Sequence, residues 1–341
     1  MLRREFVAVA AAGAAQVARA SAPVGIGVLG MAHSHAGAVL KTIRGSAEWK
    51  LIGVAESRPE LRKPLREQGI AVLSREELLR NPEIKVIAVE SDVPDHAVDG
   101  LAVVQAGKHL HLEKAPADTL VGFQKIVNVA REKNLTLQLG YMWRYHPGIG
   151  KALEAAREGW LGSIYQVRAS MSNSLDPALR GDWARFRGGV MYELGGHVID
   201  PIARLMGRPT KVTAVLGQSG TVKDAFHDNM AALLEWKNAI GVVQASTVQP
   251  YSGQHRALEL YGTNGTATVN PIEPPALTIE LQNAAGPYTK GKQTIPMPSY
   301  VRHEADFADL AAVVRGERKL RVSYEEDLLV QEVLLRCSGM M

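Results

Sequence analysis

The 341-residue sequence predicts an α/β protein with a doubly wound parallel sheet followed by an α+β domain built on a large open, mostly antiparallel sheet. Three observations carry this. From residue 24 to 140, short apolar runs alternate with helical periods, the pattern of parallel strands joined by crossover helices. From about residue 147 the apolar runs lengthen and follow one another across short Gly/Asn turns, as in an antiparallel meander. Two helical stretches then close the chain. The predicted divisions are an export signal over 1–22, a nucleotide-type domain over 23–141 and a second domain over 142–341.

In the first domain, strands are predicted at 24–29, 50–55, 70–72, 86–89, 109–112 and 136–140. Helices fall between them, near 35–45, 59–68, 74–80, 95–106 and 120–133. Asp118-Thr119 supplies a start signal for the last helix, and Gly107 a stop signal for the one before it. In the second domain a helix over 147–158 ends at Gly159. Strands follow at 164–171, 211–217, 229–237, 240–248, 256–261 and 277–281, with turns in "EWKNAIG" and "YGTNGTA". A helix near 194–206 interrupts them, and helices near 301–315 and 325–337 end the chain.

A net charge of +4 with no long Lys/Arg run excludes a phosphate-tracking surface, so no nucleic-acid partner is expected. The single cysteine, Cys337, excludes an intrachain disulfide and a Cys-rich metal site. The N-terminus, "MLRREFVAVAAAGAAQVARASA", carries Arg3-Arg4, then an apolar run of about eleven residues, too short to span a bilayer. It ends in Ala-x-Ala sites at 18–20 and 20–22. This predicts a twin-arginine signal, a periplasmic location and no membrane anchor after cleavage.

"VGIGVLGMAHSHAG", residues 24–37, contains G-x-G-x-x-G as Gly25, Gly27 and Gly30. The literal match is out of register, because 24–29 is itself the strand and the first glycine of a dinucleotide turn belongs at the strand's end. The turn starts at Gly30 and continues through Met31, Ala32 and His33 to His35, where the amides of a helix N-terminus can hold phosphate. The strand "WKLIGVAES" ends at Glu56, whose carboxylate can accept both hydroxyls of an adenosine ribose and repel a 2′-phosphate. NAD is therefore the expected cofactor, and Arg58 beside it leaves NADP possible. The His-x-His pairs at 33/35 and 109/111 also fit a metal-dependent hydrolase. That reading needs further ligands and a barrel of eight β-α units, which a mostly β second half does not supply, so no metal is expected.

"AGKHLHLEKAPADT" puts Glu113-Lys114 at the carboxyl end of a strand, where ligands of such sheets bind. A lysine there can hold a substrate oxyanion. In "RGGVMYELGGHVIDPIARLMG", a helix from Glu193 would put Glu193, His197 and Asp200 on one face. An imidazole with an adjacent carboxylate has the layout of an oriented acid–base, with Glu193 orienting His197.

Taken in order, Gly30, Glu56, "AGKHLHLEKAP", "GYMWRYHP", "GWLGSIYQVRAS", "DWARFRGGVMYELGGHVIDPIARLMG", "YGTNGTATV" and the closing helix pair resemble the glucose–fructose oxidoreductase / inositol dehydrogenase (Gfo/Idh/MocA) family, over residues 24 to 338. The resemblance implies a Rossmann domain, a C-terminal open-sheet domain, NAD or NADP, and a homodimer or homotetramer through that sheet. By position it implies that Lys114 and His197 are catalytic, with Glu193 where the family has Asp. It places Arg144 and Tyr145 below a sugar site, Trp183, Arg185 and Asp200 on the substrate side, and His96 beside the cofactor. Glu113 precedes the lysine, Glu90 opens an "ESD" that replaces a usual T-P near the nicotinamide, and Ala115 is inserted before Pro116. The implied function is an exported NAD(P)-dependent oxidoreductase acting on a sugar, sugar derivative or polyol, with the cofactor retained and recycled. The alternatives are a redox-neutral NAD-dependent glycoside hydrolase and a non-catalytic sugar- or nucleotide-responsive binding protein.

Overall fold

The computed structural model describes residues 22–185 and 187–341, so the export signal expected over 1–22 lies outside the described residues apart from Ala22. The first sheet contains β1 (Val24–Leu29), β2 (Trp49–Ala55), β3 (Val72–Leu73), β4 (Val86–Val89), β5 (His109–Leu112) and β6 (Leu137–Leu139). All its pairs are parallel, in the order β3-β2-β1-β4-β5-β6. Helices α1 (Ala36–Gly45), α2 (Pro59–Glu67), α3 (Arg75–Arg80), α4 (His96–Gln105) and α5 (Leu120–Glu132) connect them. Both faces are covered, so the central strands are apolar throughout: every residue of β4 is buried. Local chemistry starts the helices where the sequence said: Thr119 accepts from the Gly122 amide, and Ser74 and Glu77 form a capping box on α3. The strand order reverses between β1 and β4, and the crevice at that switch point is where the site lies.

The second sheet contains β7 (Ile164–Ser170), β8 (Lys211–Gly217), β9 (Asn229–Trp236), β10 (Ala239–Ser246), β11 (Ala257–Gly262), β12 (Gly265–Val269), β13 (Leu277–Leu281) and β14 (Gly291–Ile295). Its order is β14-β13-β12-β11-β7-β10-β9-β8. It is two meanders spliced by β7, which is parallel to β10 and antiparallel to β11. β12 hides in a stretch that reads as a turn, and the edge strand β14, "GKQTI", is too polar to register as an apolar run. The inner face buries Val167, Ala169, Val243, Ala245, Leu258 and Leu260 under α6 (Pro147–Arg157) and the helix that follows a short α7 (Arg180–Trp183). That helix begins as a π-helical turn, Met191–Gly195, and continues as α8 (Gly196–Met206).

The cores do not divide at residue 141. Of the last two helices, α9 (Glu304–Val314) and α10 (Tyr324–Cys337), the first returns to the parallel sheet. Phe307, Leu310 and Ala311 of α9 are buried with Ile26 and Val28 of β1. Helix α10 packs against both α5 and α8.

One ion cluster ties these elements together. Arg144, just after β6, donates through Nε and Nη2 to Asp200 Oδ1 on α8, at 2.9 and 2.7 Å. The same Nη2 donates to Asp327 Oδ1 on α10 at 2.6 Å. All three side chains are at most 3% exposed. Arg144 and Asp200, expected beside a substrate, therefore satisfy one another. Removing one member of a buried ion cluster leaves the rest uncompensated. Arg144→Met should lower unfolding free energy by about 3–5 kcal/mol, read as a reduced urea midpoint at pH 7. An unchanged midpoint would show the cluster to be dispensable.

Candidate active site

β1 ends at Leu29 and the chain turns at Gly30, whose φ is +83°. A Cβ there would stand 2.5 Å from the Ser91 Cα, so only glycine fits. The Met31 amide donates to Glu56 Oε2 at 2.7 Å and the Arg58 amide to Glu56 Oε1 at 2.8 Å, which pins the acid at the end of β2. Gly30, Ala32, Glu56, Arg58, Ser91 and Asp92 are among the residues lining a cleft of about 530 Å³. A glycine turn, a fixed carboxylate and a cleft of this size at the switch point fit a dinucleotide. Met31 contributes its backbone N–H to Glu56, and it also borders a second pocket with Gly37 and Leu40. The loop also spends amides internally. His33 N–H donates to the Glu90 carbonyl at 3.1 Å, and His35 N–H to His33 Nδ1 at 3.2 Å.

Beside this cleft the two domains meet in a buried ion pair. Lys114, two residues past β5, is 1% exposed and donates to Glu193 Oε1 at 2.5 Å and to the Glu193 carbonyl at 3.0 Å. Its peptide bond to Ala115 is cis. His33 Nε2 faces the same carboxylate oxygen at 3.6 Å. Burial opposes ionisation of Glu193, but Lys114 and His33 override it and hold the carboxyl down at about 2. Burial, reinforced by Lys114 and opposed by Glu113, lowers His33 to about 4. Both histidine and acid thus keep their neutral and charged forms, respectively, across the physiological range.

The expected pairing of Glu193 with His197 does not form. The π-helical turn from Met191 to Gly195 lies between a carboxylate and an imidazole that would be neighbours on a regular α-helix, and the buried lysine takes the carboxylate. His197 is instead held by rings. Trp143 stands 5.3 Å away and Tyr141 6.3 Å away between centroids, with His35 at 5.8 Å. His197 Nδ1 is buried, with no hydrogen-bond partner among the described residues. Burial, then Lys114 and His35, push its pKa well below the ordinary histidine value.

Several other expected site residues take supporting positions. His96 is fully buried with its ring nitrogens 2.9 Å from the Ala115 carbonyl and 3.1 Å from the Ser91 carbonyl, so it fixes two loops and lines no cleft. Glu113 accepts from the Lys114 amide at 2.8 Å and contacts His35 Nδ1 at 3.2 Å. Glu90 is fully buried. Tyr145 donates to Asp309 on α9 at 2.8 Å, away from Lys114. Trp183 packs 6.3 Å from Phe226. Arg185 pairs with Asp92 at 3.0 Å, and Arg58 pairs with the same carboxylate at 2.9 Å, so Arg185 sits on the cofactor side of the rim. The sequence reading missed Tyr141, Trp143 and His303. His303, at the start of α9 with φ +68°, brings its ring 5.3 Å from His35. Nothing in its local sequence marks it, because it reaches the site through the return of α9 to the first sheet.

Glu56→Ala should weaken NAD far more than NADP, since the fixed carboxylate favours ribose hydroxyls over a phosphate while Arg58 remains. Calorimetric titration of each nucleotide checks this, and equal losses for both would refute the assignment.

A model of the oxidoreductase family, NAD-binding Rossmann fold, matches residues 22–141, and one of the GFO/IDH/MocA C-terminal domain matches residues 149–268. The chain is 25% identical over 255 residues to a 1,5-anhydro-D-fructose reductase of Ensifer adhaerens, covering 73% of this chain and 74% of that one. It is 26% identical over 282 residues to a levoglucosan dehydrogenase of Pseudarthrobacter phenanthrenivorans, covering 72% of each. A solved levoglucosan dehydrogenase in complex with NADH and levoglucosan superposes with a TM-score of 0.77 at 19% identity, over 93% of this chain and 97% of that one, which shows the shared fold. With both domains matched in the order in which the two sheets occur, the chain belongs to the Gfo/Idh/MocA family of NAD(P)-dependent oxidoreductases.

Proposed function

We propose that the protein oxidises or reduces a secondary alcohol of a sugar, sugar derivative or polyol, outside the cytoplasm, with a nicotinamide cofactor that it keeps. The observation that carries the chemistry is the buried Lys114–Glu193 pair standing beside a neutral His197 next to a dinucleotide cleft. The relatives that act on 1,5-anhydro-D-fructose and levoglucosan support the substrate class. NAD or NADP, when bound, supplies the hydride acceptor or donor.

The protein's own groups handle the proton and the charge. Lys114 presents an ammonium to the reacting oxygen and stabilises the alkoxide as it forms. Glu193 fixes that ammonium through its carboxylate and its carbonyl, so little reorganisation is needed. His197 offers an unpaired Nδ1 to take the hydroxyl proton. Trp143 and Tyr141 wall the imidazole and keep water from it.

Two features support retention of the cofactor. The Arg3-Arg4 segment supports export as a folded protein, and no free nicotinamide pool is expected there. Asp92 on the cleft rim is clasped by Arg58 from the first domain and Arg185 from the second, a polar clasp across the cleft. The outer face of the second sheet supports self-association: Val215, Leu233 and Ile240, each 40% exposed or more, share that face.

Lys114→Ala and His197→Ala should each lower kcat by ~10²–10⁴-fold, as for loss of a positioned acid–base. Incubation with a panel of sugars and no added cofactor should give multiple turnovers. Strict dependence on stoichiometric added NAD would overturn retention without touching the reaction. Replacing Arg3 and Arg4 by lysine should leave the protein in the cytoplasm, checked by fractionation. Because the His197 pKa is depressed, its basic form persists to lower pH, so kcat/KM should stay level through pH 6.5 and fall only below it. An acid limb centred at or above 6.5 would exclude His197 as the base.

A further inference from the structure

Beneath the catalytic lysine lies a second cluster that the reaction does not use. It occupies adjacent strands: Glu90 follows β4, His111 is in β5 and Glu113 follows β5. All three are fully buried. One ligand atom from each lies within 4.8 Å of the others. Gly140, after β6, closes the side: a Cβ there would meet Glu113 Oε2 at 2.8 Å.

The hydrogen bonds fix what His111 offers. Gln138 donates through Nε2 to the Asp306 carbonyl at 3.1 Å and to the Tyr145 hydroxyl at 3.2 Å. Its Oε1 therefore faces His111 Nδ1, at 2.9 Å, and can only accept. His111 Nδ1 must carry the proton, and Nε2 presents a bare lone pair. His111 Nε2 lies 4.0 Å from Glu90 Oε1. Among the described residues, neither Nε2 nor either Glu90 oxygen has a hydrogen-bond partner. A proton shared directly between them would need a distance below about 3.2 Å.

Asp306 Oδ2 is buried and faces His303 Nδ1 at 3.7 Å, too long for a hydrogen bond, and neither ring nitrogen of His303, 1% exposed, is hydrogen-bonded. Lys114 is committed to Glu193. Of the acids here, Glu113 already meets the Lys114 amide and His35, whereas both Glu90 oxygens are without a hydrogen-bond partner among the described residues. Buried polar atoms are ordinarily paired. The neighbouring triad of His33, His35 and Glu113 needs no such help, since the ring nitrogens nearest Glu113 already have partners.

We infer that Glu90, His111 and Glu113 bind a divalent first-row transition cation, of the zinc or manganese class. One imidazole with carboxylate oxygens is a donor set for such ions. The atoms must close by about an ångström to reach bonds of about 2.0–2.2 Å. Gln138 would be the partner that orients the imidazole, the arrangement usual for metal-ligating histidine. A cation here would fix Glu113 and, through the Lys114 amide, the strand end that carries the catalytic lysine. The sequence reading assigned no metal. This inference does not rest on the proposed reaction.

The test uses the full-length protein, purified and stripped with chelator, without substrate. Titration with Co²⁺ should show a single equivalent bound per chain, with visible absorption of a nitrogen- and oxygen-ligated ion that Zn²⁺ displaces. His111→Gln and Glu90→Gln should each weaken Co²⁺ at least ~10-fold, while His255→Gln, at an exposed histidine, should not. Melting gives a second readout that needs no variant: Zn²⁺ should raise the Tm of the stripped wild type. It should raise that of Glu90→Gln much less. Substoichiometric Co²⁺, affinity unchanged in both site variants, loss only in His255→Gln, or a wild-type Tm indifferent to Zn²⁺ would overturn the proposal.

Discussion

The site is organised by one buried ion pair. Lys114 comes from the end of a strand in the first sheet and Glu193 from a π-helical turn in the second domain, and they meet where water does not reach. The Glu193 carboxylate accepts from Lys114 Nζ, and the Glu193 carbonyl adds a second acceptor. The pair thus ties the first domain to the second. It also sets the electrostatics of its neighbours, because the same lysine helps push His33 and His197 toward their neutral forms.

The parallel sheet explains why so many ionisable groups share this place. In an all-parallel sheet the carboxyl ends of adjacent strands converge on one edge. Here β1, β4 and β5 deliver His33, His35, Glu90, Glu113 and Lys114 to neighbouring positions within that edge. The C-terminal part then brings His197 on α8 and His303 at the head of α9 over the same spot. Burial of charge at this density is unfavourable unless each group is paired. The lysine resolves it for Glu193, and His35 with the Lys114 amide does so for Glu113. Glu90 is left with His111 as its nearest partner at a distance too long for a hydrogen bond.

Away from the chemistry, Arg144 performs the structural counterpart. It neutralises Asp200 and Asp327 from helices far apart in sequence, and its guanidinium also stands 5.0 Å over the Tyr141 ring. Tyr141 in turn walls His197. A residue that holds three segments together thus reaches the site through one aromatic contact.

The sequence by itself determined most of the elements and where the expected cofactor-side residues stand on them, while β12 and the polar edge strand β14 escaped it. The alternation of apolar runs, the capping residues and the turn glycine are local, so Gly30, Glu56 and Lys114 stand where their strands end. It also determined that Lys114, Glu193 and His197 share one region, through the order of its motifs. What it could not determine was pairing. The π-helical turn changes which residues of 193–200 face one another, so Glu193 went to Lys114 and Asp200 to Arg144. The splice by β7, the return of α9 to the first sheet and the arrival of His303 beside His35 depend on contacts between segments far apart in the chain. A local pattern records which side chains an element exposes on each face. Which distant charge satisfies them is decided by tertiary packing, because a buried charge takes whichever partner the closed structure puts within reach.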